Sequence, residues 1–327
     1  MRSALLAASL GFAALLAASL GFAAAALAAY PEKPIRFVIP SAAGGSPDIL
    51  MRVMTQQLST QIGVPFVVEN KPAGSYTLGT MDVVKAAADG YTLGYGNIVS
   101  LAINRSLLEK VPYDVEKDLT LVSNCVRVFN LLAVNNKLPV QSVQDLIAYA
   151  KRNPGRLVMA SGGNGTTGHL GGELFKSMTG TFILHVPYRG SPQAINDLIS
   201  GEVQLMFDNI SSIGAHARAG RVRGIAVSGA RRSPLFPELP TLHEAGVTGY
   251  ETVAWGGVIA PANLPREIVA RLHAEIRKAL ASPFVLERFK QLDTEPDGGT
   301  PEEFLALVRS ETPKWAEVVK RAGAKVD

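Results

Sequence analysis

Two glycine-rich loops, each lying between an apolar run and a helix, constrain the fold of this 327-residue chain most strongly. One follows Ile35–Ile39 and spans Ser41–Asp48, and the other follows Leu157–Ala160 and spans Gly163–His169. Strands that alternate with helices in this way predict a parallel sheet covered on both faces. Because unpaired N–H groups and the positive end of the helix dipole lie at a helix start, each loop also predicts an anion site.

The spacing of strands and helices predicts two lobes. Leu119–Ser123 and Asn130–Val134 are predicted as separate strands, and the pattern restarts at Asn130, which favours a second sheet over one sheet of ten strands. Helices dominate after Pro261, where we expect no further strand. We expect the chain to cross between the lobes, at natural hinges, near residues 124–135 and 249–258. The predicted units are residues 29–128 plus 252–327 for lobe 1 and residues 129–251 for lobe 2.

The N-terminal segment predicts the compartment. Residues 3–29 carry no charge and are mostly Ala and Leu, and Ala26-Leu27-Ala28 forms a small-x-small cleavage site. This pattern is typical of a signal peptide, here residues 1–28, so we expect the mature protein to be periplasmic. The alternative is an uncleaved membrane anchor, because the segment is long enough to span a bilayer.

Composition excludes several classes of protein. The 32 basic and 28 acidic residues are scattered, with no basic run longer than Arg231-Arg232, so nucleic-acid binding has no support. Cys125 is the single cysteine and cannot form an internal disulfide. There is no G-x-S-x-G, H-E-x-x-H or C-x-x-C motif, and the five histidines are dispersed along the chain. We therefore expect no catalytic centre, no metal and no cofactor.

The second loop leaves one alternative function open. Gly163-Asn-Gly165-Thr-Thr-Gly168 matches G-x-G-x-x-G between a strand and a helix, and Arg189 lies where a dinucleotide fold would contact a 2′-phosphate. The alternative is therefore an NADP-dependent oxidoreductase using Gly163–Gly168. No acidic ribose ligand lies near residues 183–188, and export argues against a nucleotide. The side chains of Asn164, Thr166 and Thr167 would suit a small carboxylate equally well.

Two later segments add polar groups at strand ends. In His185–Ser191, Tyr188 offers a ring and a hydroxyl, and Arg189 is either a fork for a carboxylate or a solvated surface charge. Leu205–Asn209 ends with Asp208, which could accept hydrogen bonds from a ligand or from the loops that shape a pocket. In the first loop, Ser46 followed by proline predicts a helix N-cap.

Nine motifs recur in the order known from one family. They are Tyr30–Arg36, Pro40–Asp48, Val68–Pro72, Asp89–Leu93, Pro112–Asp114, Gly163–His169, His185–Tyr188, Leu205–Asn209 and Trp255-Gly256. The chain resembles the Bug family, the extracytoplasmic solute receptors of tripartite tricarboxylate transporters. The resemblance implies an α/β type II periplasmic binding protein fold, with two α/β lobes and a ligand cleft between them. It also implies a receptor, not an enzyme, that delivers a carboxylate, or a related small aromatic or amide compound, to a membrane carrier of two subunits.

In that family the loops matching Ser41–Asp48 and Gly163–His169 form a pincer on the ligand carboxylate. We expect a monomer that holds a small organic acid, with one carboxylate on backbone donors of Ala43–Ser46 and Gly165–Thr167. The chain departs from the family pattern at Ser41 and at Tyr76, which we expect to reshape the pocket mouth. The predicted ligand-binding residues are Ser41, Ala42, Ala43, Gly44, Gly45, Ser46, Asp48, Asn97, Ile98, Asn164, Gly165, Thr166, Thr167, His169, Tyr188, Arg189, Gly190 and Asp208.

Overall fold

A computed structural model describes residues 30–324 of the chain. The predicted signal peptide lies outside these described residues, so the structure bears on neither its cleavage nor the alternative of an anchor. Within residues 30–324, no helix combines the length and the apolar character needed to cross a membrane.

Ten strands and eleven α-helices make up the described residues. The strands are β1 Ile35–Ile39, β2 Phe66–Asn70, β3 Thr92–Asn97, β4 Leu119–Val134, β5 Val158–Ser161, β6 Leu184–Pro187, β7 Leu205–Asn209, β8 Arg223–Val227, β9 Val253–Pro261 and β10 Thr294–Pro296. The helices are α1 Ser46–Ile62, α2 Thr77–Val84, α3 Asn104–Leu107, α4 Val115–Asp118, α5 Val143–Arg152, α6 Thr167–Thr179, α7 Ser191–Ser200, α8 Ile210–Arg218, α9 Arg266–Leu280, α10 Pro283–Gln291 and α11 Pro301–Ala322, and a π-helical turn spans Val99–Ile103.

Strand β4 joins the two lobes. Its first part, Leu119–Phe129, pairs antiparallel with β9 in the sheet ordered β2-β1-β3-β9-β4. Its last part, Asn130–Val134, is flanked by β7 and β8, and β7 leads on to β5 and β6. All ten strands are therefore paired in one sheet that continues through β4, with one part of the sheet in each lobe. The predictions of two separate strands here and of a second sheet were wrong.

The polar residues that interrupted the apolar pattern of β4 are paired with their surroundings. Asn124 Nδ2 and Arg127 Nε donate to Asp297 Oδ2 at 2.7 and 2.8 Å, and Ser123 Oγ donates to the Gly299 carbonyl at 2.8 Å. Because these partners come from residues beyond 290, local sequence could not show that the strand continues. The same region contains β10, which pairs with β4 and was not expected after Pro261.

Each lobe has a core on both faces of its sheet. In lobe 1, α1, α9 and α10 cover one face, and α11 returns to cover the other, burying Trp255, Phe304 and Trp315. In lobe 2, α5 and α6 cover one face and α7 and α8 the other. A large apolar side chain buried in this way contributes about 1.5–3 kcal/mol. The sheets are mixed, with β4 and β9 antiparallel to their neighbours, so the prediction of a purely parallel sheet was wrong.

Helix α1 does not begin as the sequence predicted. Its N-cap is Gly45, and Ser46 is the first helical residue. The hydroxyl of Ser46 instead lies 2.6 Å from that of Ser211 on α8, across the boundary between the lobes. The serine therefore connects two lobes rather than capping a helix.

The crossing of β4 and β9 predicts one sensitive position. A Cβ on Gly257 would lie 1.9 Å from the Ser123 carbonyl oxygen, whereas the nearest atoms to one on Gly299 belong to the side chains of Asp297 and Glu303, at 3.3 Å or more. We expect Gly257→Ala to lower the free energy of unfolding by about 3 kcal/mol, because backbone must move, and Gly299→Ala to lower it by less than about 1 kcal/mol. Chemical denaturation of the two variants measures this. Equal stability of both would contradict the tight β4–β9 contact.

Candidate functional site

A cleft of about 560 Å³ lies between the lobes, within the usual range for small-molecule sites. Thirteen of the eighteen predicted residues line it, namely Ser41, Ala42, Gly45, Ser46, Asn97, Ile98, Asn164, Thr166, Thr167, Tyr188, Arg189, Gly190 and Asp208. The other five do not, namely Ala43, Gly44, Asp48, Gly165 and His169. The two loops predicted from sequence therefore do face each other across one cleft, but part of each loop supports the wall from behind.

In the first loop, the protein itself uses two of the predicted backbone donors. The Gly44 amide donates to Asp48 Oδ2 at 2.9 Å, and the Gly45 amide donates to the Ala42 carbonyl at 3.3 Å. Asp48 is buried and also accepts from Arg52 and Asn70. Burial alone would raise the pKa of its carboxyl, but these hydrogen bonds lower the pKa below its ordinary value. Asp48 therefore shapes the loop as an anion and does not itself line the cleft.

The second loop shows the same pattern. The Gly165 amide donates to His169 Nδ1 at 3.0 Å, and the Thr166 amide donates to the Gly163 carbonyl at 3.3 Å. Thr166 is the N-cap of α6, and its hydroxyl accepts from the His169 amide. Of the predicted backbone donors in Gly165–Thr167, the amides of Gly165 and Thr166 therefore already have an acceptor within the protein. Within residues 30–324, the amide of Thr167 has no protein acceptor.

Three helices begin at the wall of the cleft. Their first residues, Ser46 of α1, Thr167 of α6 and Ser191 of α7, all line it. In the part of the chain that the structure describes, the amides of Ser46 and Ser191 also lack a protein acceptor. Helix starts stabilise negative charge through these amides and the aligned peptide dipoles, so three of them around one cleft favour an anion.

The hydroxyl of Ser41 is unsatisfied. Ser41 is only 8% exposed and lines the cleft, and no partner for its Oγ lies among residues 30–324. A buried hydroxyl without a partner costs about 1–3 kcal/mol. Such a group is expected where a ligand or an ordered water completes the hydrogen bond.

Asp208 is the acidic group of the cleft. It is 6% exposed and accepts hydrogen bonds from Ser191 Oγ at 2.6 Å and from Ser212 Oγ. Burial raises the pKa of its carboxyl to about 6, although both hydroxyls lower it. Arg189 is exposed at the rim of the same cleft, and within the described residues no ion pair engages its guanidinium. The Tyr188 hydroxyl donates its proton to Asp197 at 2.7 Å, so this proton is already used within the protein.

The floor of the cleft consists of residues that sequence reasoning did not assign to the site. Tyr95 on β3, Val128 on β4 and Trp255 on β9 provide an apolar surface beside the helix starts, joined by Tyr76. The sequence analysis names Trp255 only as part of a family motif and Tyr76 only as a departure from the family pattern. The floor is formed by β3, β4 and β9. Their sequences do not indicate which face of each strand lies toward a cleft.

His169 lies behind the cleft and stacks on His185, with ring centroids 4.0 Å apart. The histidines are thus not all dispersed, and Glu173 lies beside this pair. His169 Nδ1 already accepts the Gly165 amide, and Glu173 pairs with Lys176 at 2.7 Å, so the cluster is occupied by the protein's own groups. Its visible role is to hold the second loop. Burial, and to a lesser extent the charge of Lys176, lower the pKa of His169 to about 4.

Comparison with known proteins shows which family the chain resembles. The family model "Tripartite tricarboxylate transporter family receptor" (TctC) matches residues 50–324. The chain is 36% identical to BugT of Bordetella pertussis over 298 residues, which cover 91% of each protein. It superposes on Rhodopseudomonas palustris Rpa4515 with adipate (TM-score 0.89, 39% identity, 91% and 100% coverage) and on MatC of the same species with bound malate (TM-score 0.84, 29% identity, 89% and 100% coverage).

The chain therefore belongs to the tripartite tricarboxylate transporter receptor family, and the resemblance to Bug proteins is confirmed. The two-lobed periplasmic binding protein fold is confirmed as well. Members of the family are periplasmic solute receptors and not enzymes, so the chain is a receptor and the oxidoreductase alternative is set aside.

The buried His169 predicts a pH dependence of stability. Its pKa is about 4 in the folded protein against 6.5 ordinarily, so between these values the unfolded chain binds a proton that the folded protein does not. Stability therefore falls as the pH falls from 6.5 to 4. Over this pH interval, we expect the free energy of unfolding of His169→Asn to fall by about 2 kcal/mol less than that of the wild type.

Chemical denaturation at a series of pH values measures this difference. His243→Asn is the matched control, because His243 Nδ1 also accepts a backbone amide, from Gly249 at 2.9 Å, but the residue is exposed. We expect this control to follow the wild type. If the free energy of unfolding changes with pH equally in the wild type and in His169→Asn, the prediction is contradicted.

Proposed function

We propose that this chain captures a small organic carboxylate in the periplasm and delivers it to a two-subunit membrane carrier. The observation that carries the proposal is the convergence of three helix starts on one cleft, next to the unsatisfied hydroxyl of Ser41. The carboxylate would accept from the amides of Ser46, Thr167 and Ser191 and from Ser41 Oγ. These donors belong to both lobes, so the ligand would connect them.

The strength of such a site is sufficient for a receptor. Hydrogen bonds to a charged group contribute about 1.5–3 kcal/mol each. Four of them could reach about −8 kcal/mol, which is micromolar affinity, after the costs of ordering the ligand and the loops. The guanidinium of Arg189 at the rim would add attraction during approach, which salt would screen.

The floor supports a ligand with a hydrocarbon body. Tyr95, Val128 and Trp255 would cover methylene groups or a ring, while the carboxylate stays at the helix starts. The relative Rpa4515 was solved with adipate, and MatC with malate. Both ligands carry carboxylates on short carbon chains, which supports the same class of ligand here.

The remaining parts of the proposal concern export and movement. We propose that residues 1–28 are removed on export and that the protein acts as a monomer. We also propose that residues 29–128 plus 252–327 and residues 129–251 close on the ligand, with β4 and β9 as the hinge. Contacts that already bridge the lobes, such as Ser46 Oγ to Ser211 Oγ, would stabilise the closed form.

A thermal-shift screen tests the function. The panel contains succinate, malate, adipate, benzoate, acidic amino acids and reduced NADP, applied to protein refolded from guanidinium to remove bound host compounds. We expect a concentration-dependent rise in melting temperature with at least one carboxylate, because binding to the folded state alone stabilises it. A rise with reduced NADP alone, or with none of the panel, would contradict the proposal.

Ser41 provides a second test with opposite effects on stability and affinity. Ser41→Ala removes an unsatisfied buried hydroxyl, so we expect unchanged or higher stability together with about tenfold weaker binding of the carboxylate found in the screen. Denaturation and isothermal titration calorimetry measure the two quantities.

The matched control is Ser228→Ala. Ser228 is fully buried, and its hydroxyl donates to the Thr252 carbonyl at 2.6 Å and accepts from the Asn130 amide at 2.9 Å. We expect this variant to lose about 1–3 kcal/mol of stability and to keep its affinity. If Ser41→Ala binds the carboxylate with the affinity of the wild type, the Ser41 hydroxyl does not contribute to binding.

A further inference from the structure

One segment of the cleft wall has an unfavourable backbone conformation. Ser75 and Tyr76 adopt left-handed conformations, with φ of 50° and 71°. A residue with a side chain costs about 1–2 kcal/mol in this region compared with the right-handed one. Tyr76 lines the cleft at the start of α2, so the strain lies at the site itself.

Hydrogen bonds from three directions hold this segment. Asn104 Nδ2 donates to the Ser75 carbonyl at 2.8 Å, and Thr80 Oγ1 donates to the Tyr76 carbonyl at 2.9 Å. Ser75 Oγ donates to the Asn164 carbonyl of the opposite lobe at 3.1 Å. The position of Tyr76 in the cleft is therefore determined by the surrounding structure and not by the preference of its own backbone.

Tyr76 lines the cleft together with Asn97 of its own lobe and Asp208 of the other lobe. Burial, and to a lesser extent the charge of Asp208, raise the pKa of its phenol to about 12, although the Asn97 side chain lowers it. The side chain of Tyr76 therefore takes up part of the space that the cleft walls enclose.

The other large residues of the floor are fixed by the sheets. Tyr95 and Trp255 belong to β3 and β9, are less than a tenth exposed and pack in the core of lobe 1. Tyr76 comes from a loop, is half-buried and packs only against the edge of that core. Of these three residues it is therefore the one whose loss would enlarge the cleft with the least effect on the core.

We propose that Tyr76 sets the upper limit on the length of the carboxylic acid that the cleft accepts. The inference rests on the proposed function and specifies its ligand class as short-chain acids. A longer chain would need the volume that the ring occupies at the cleft wall. Glycine has no side chain and adopts the left-handed conformation freely, so Tyr76→Gly removes the ring and relieves the backbone at once.

The experiment compares affinities for a series of linear dicarboxylates: succinate, adipate, suberate and sebacate. Isothermal titration calorimetry gives the ratio of the affinities for suberate and succinate in each protein. We expect this ratio to rise about tenfold or more in Tyr76→Gly, because two or more further methylene groups can be buried. Tyr76→Asn serves as a second variant, since asparagine also tolerates a left-handed backbone.

Two controls separate the ring from the hydroxyl and from the backbone. Tyr76→Phe keeps the ring, so we expect the wild-type chain-length profile. Ser75→Gly relaxes the neighbouring left-handed residue while keeping the ring, and we expect the same profile again. A shift confined to Tyr76→Gly and Tyr76→Asn supports the inference.

The experiment distinguishes failure of this inference from failure of the proposed function. If wild type and Tyr76→Gly both bind a dicarboxylate with the same optimum of chain length, the inference is overturned and the proposed function stands. If Tyr76→Phe shifts the profile as much as Tyr76→Gly, the hydroxyl and not the ring is responsible, which also overturns it. Binding of no acid by any of the proteins overturns the proposed function and this inference with it.

Discussion

The antiparallel pairing of β4 with β9 is the constraint on which the rest of the structure depends. Because β4 continues from Leu119 to Val134, the parts of the sheet in the two lobes share one strand, and the cleft opens where that strand passes from one part to the other. The ladder also supplies the floor through Val128 and Trp255. A bend in these two strands would therefore change the distance between the cleft walls while leaving both cores intact.

Within that frame, the protein satisfies some loop groups and leaves others free. Gly44 and Gly165 each donate their amide to a side chain of the same loop, Asp48 and His169 respectively. These internal bonds fix the loops that lead into the helices, whose first residues, Ser46 and Thr167, line the cleft. A rigid set of donors binds an anion without an ordering cost at the moment of binding. Asp208 adds an acceptor, which would favour a ligand with a hydroxyl group or a protonated carboxyl nearby.

Sequence reasoning predicted the anion loops because their signal is local. A strand, small residues and a helix start within fifteen positions give the donors and their direction, and the structure brings both loops to one cleft. The sequence could not show which loop amides lack a protein acceptor, because the orientations of the Asp48 and His169 side chains decide this. The continuity of β4 was missed because its polar residues are compensated by Asp297, more than 160 positions away. The floor was missed because the two faces of a buried strand look alike in sequence.

The most direct measurement is a comparison of one acid with its amide by isothermal titration calorimetry. The acid is the one that stabilises the protein most, and the amide replaces the carboxylate by a neutral group of nearly the same shape. If the helix starts hold the ligand by its charge, as proposed, the amide binds about 30-fold more weakly than the acid, or more weakly still. An amide that binds as tightly as its acid would contradict the claim that these three helix starts form a carboxylate site.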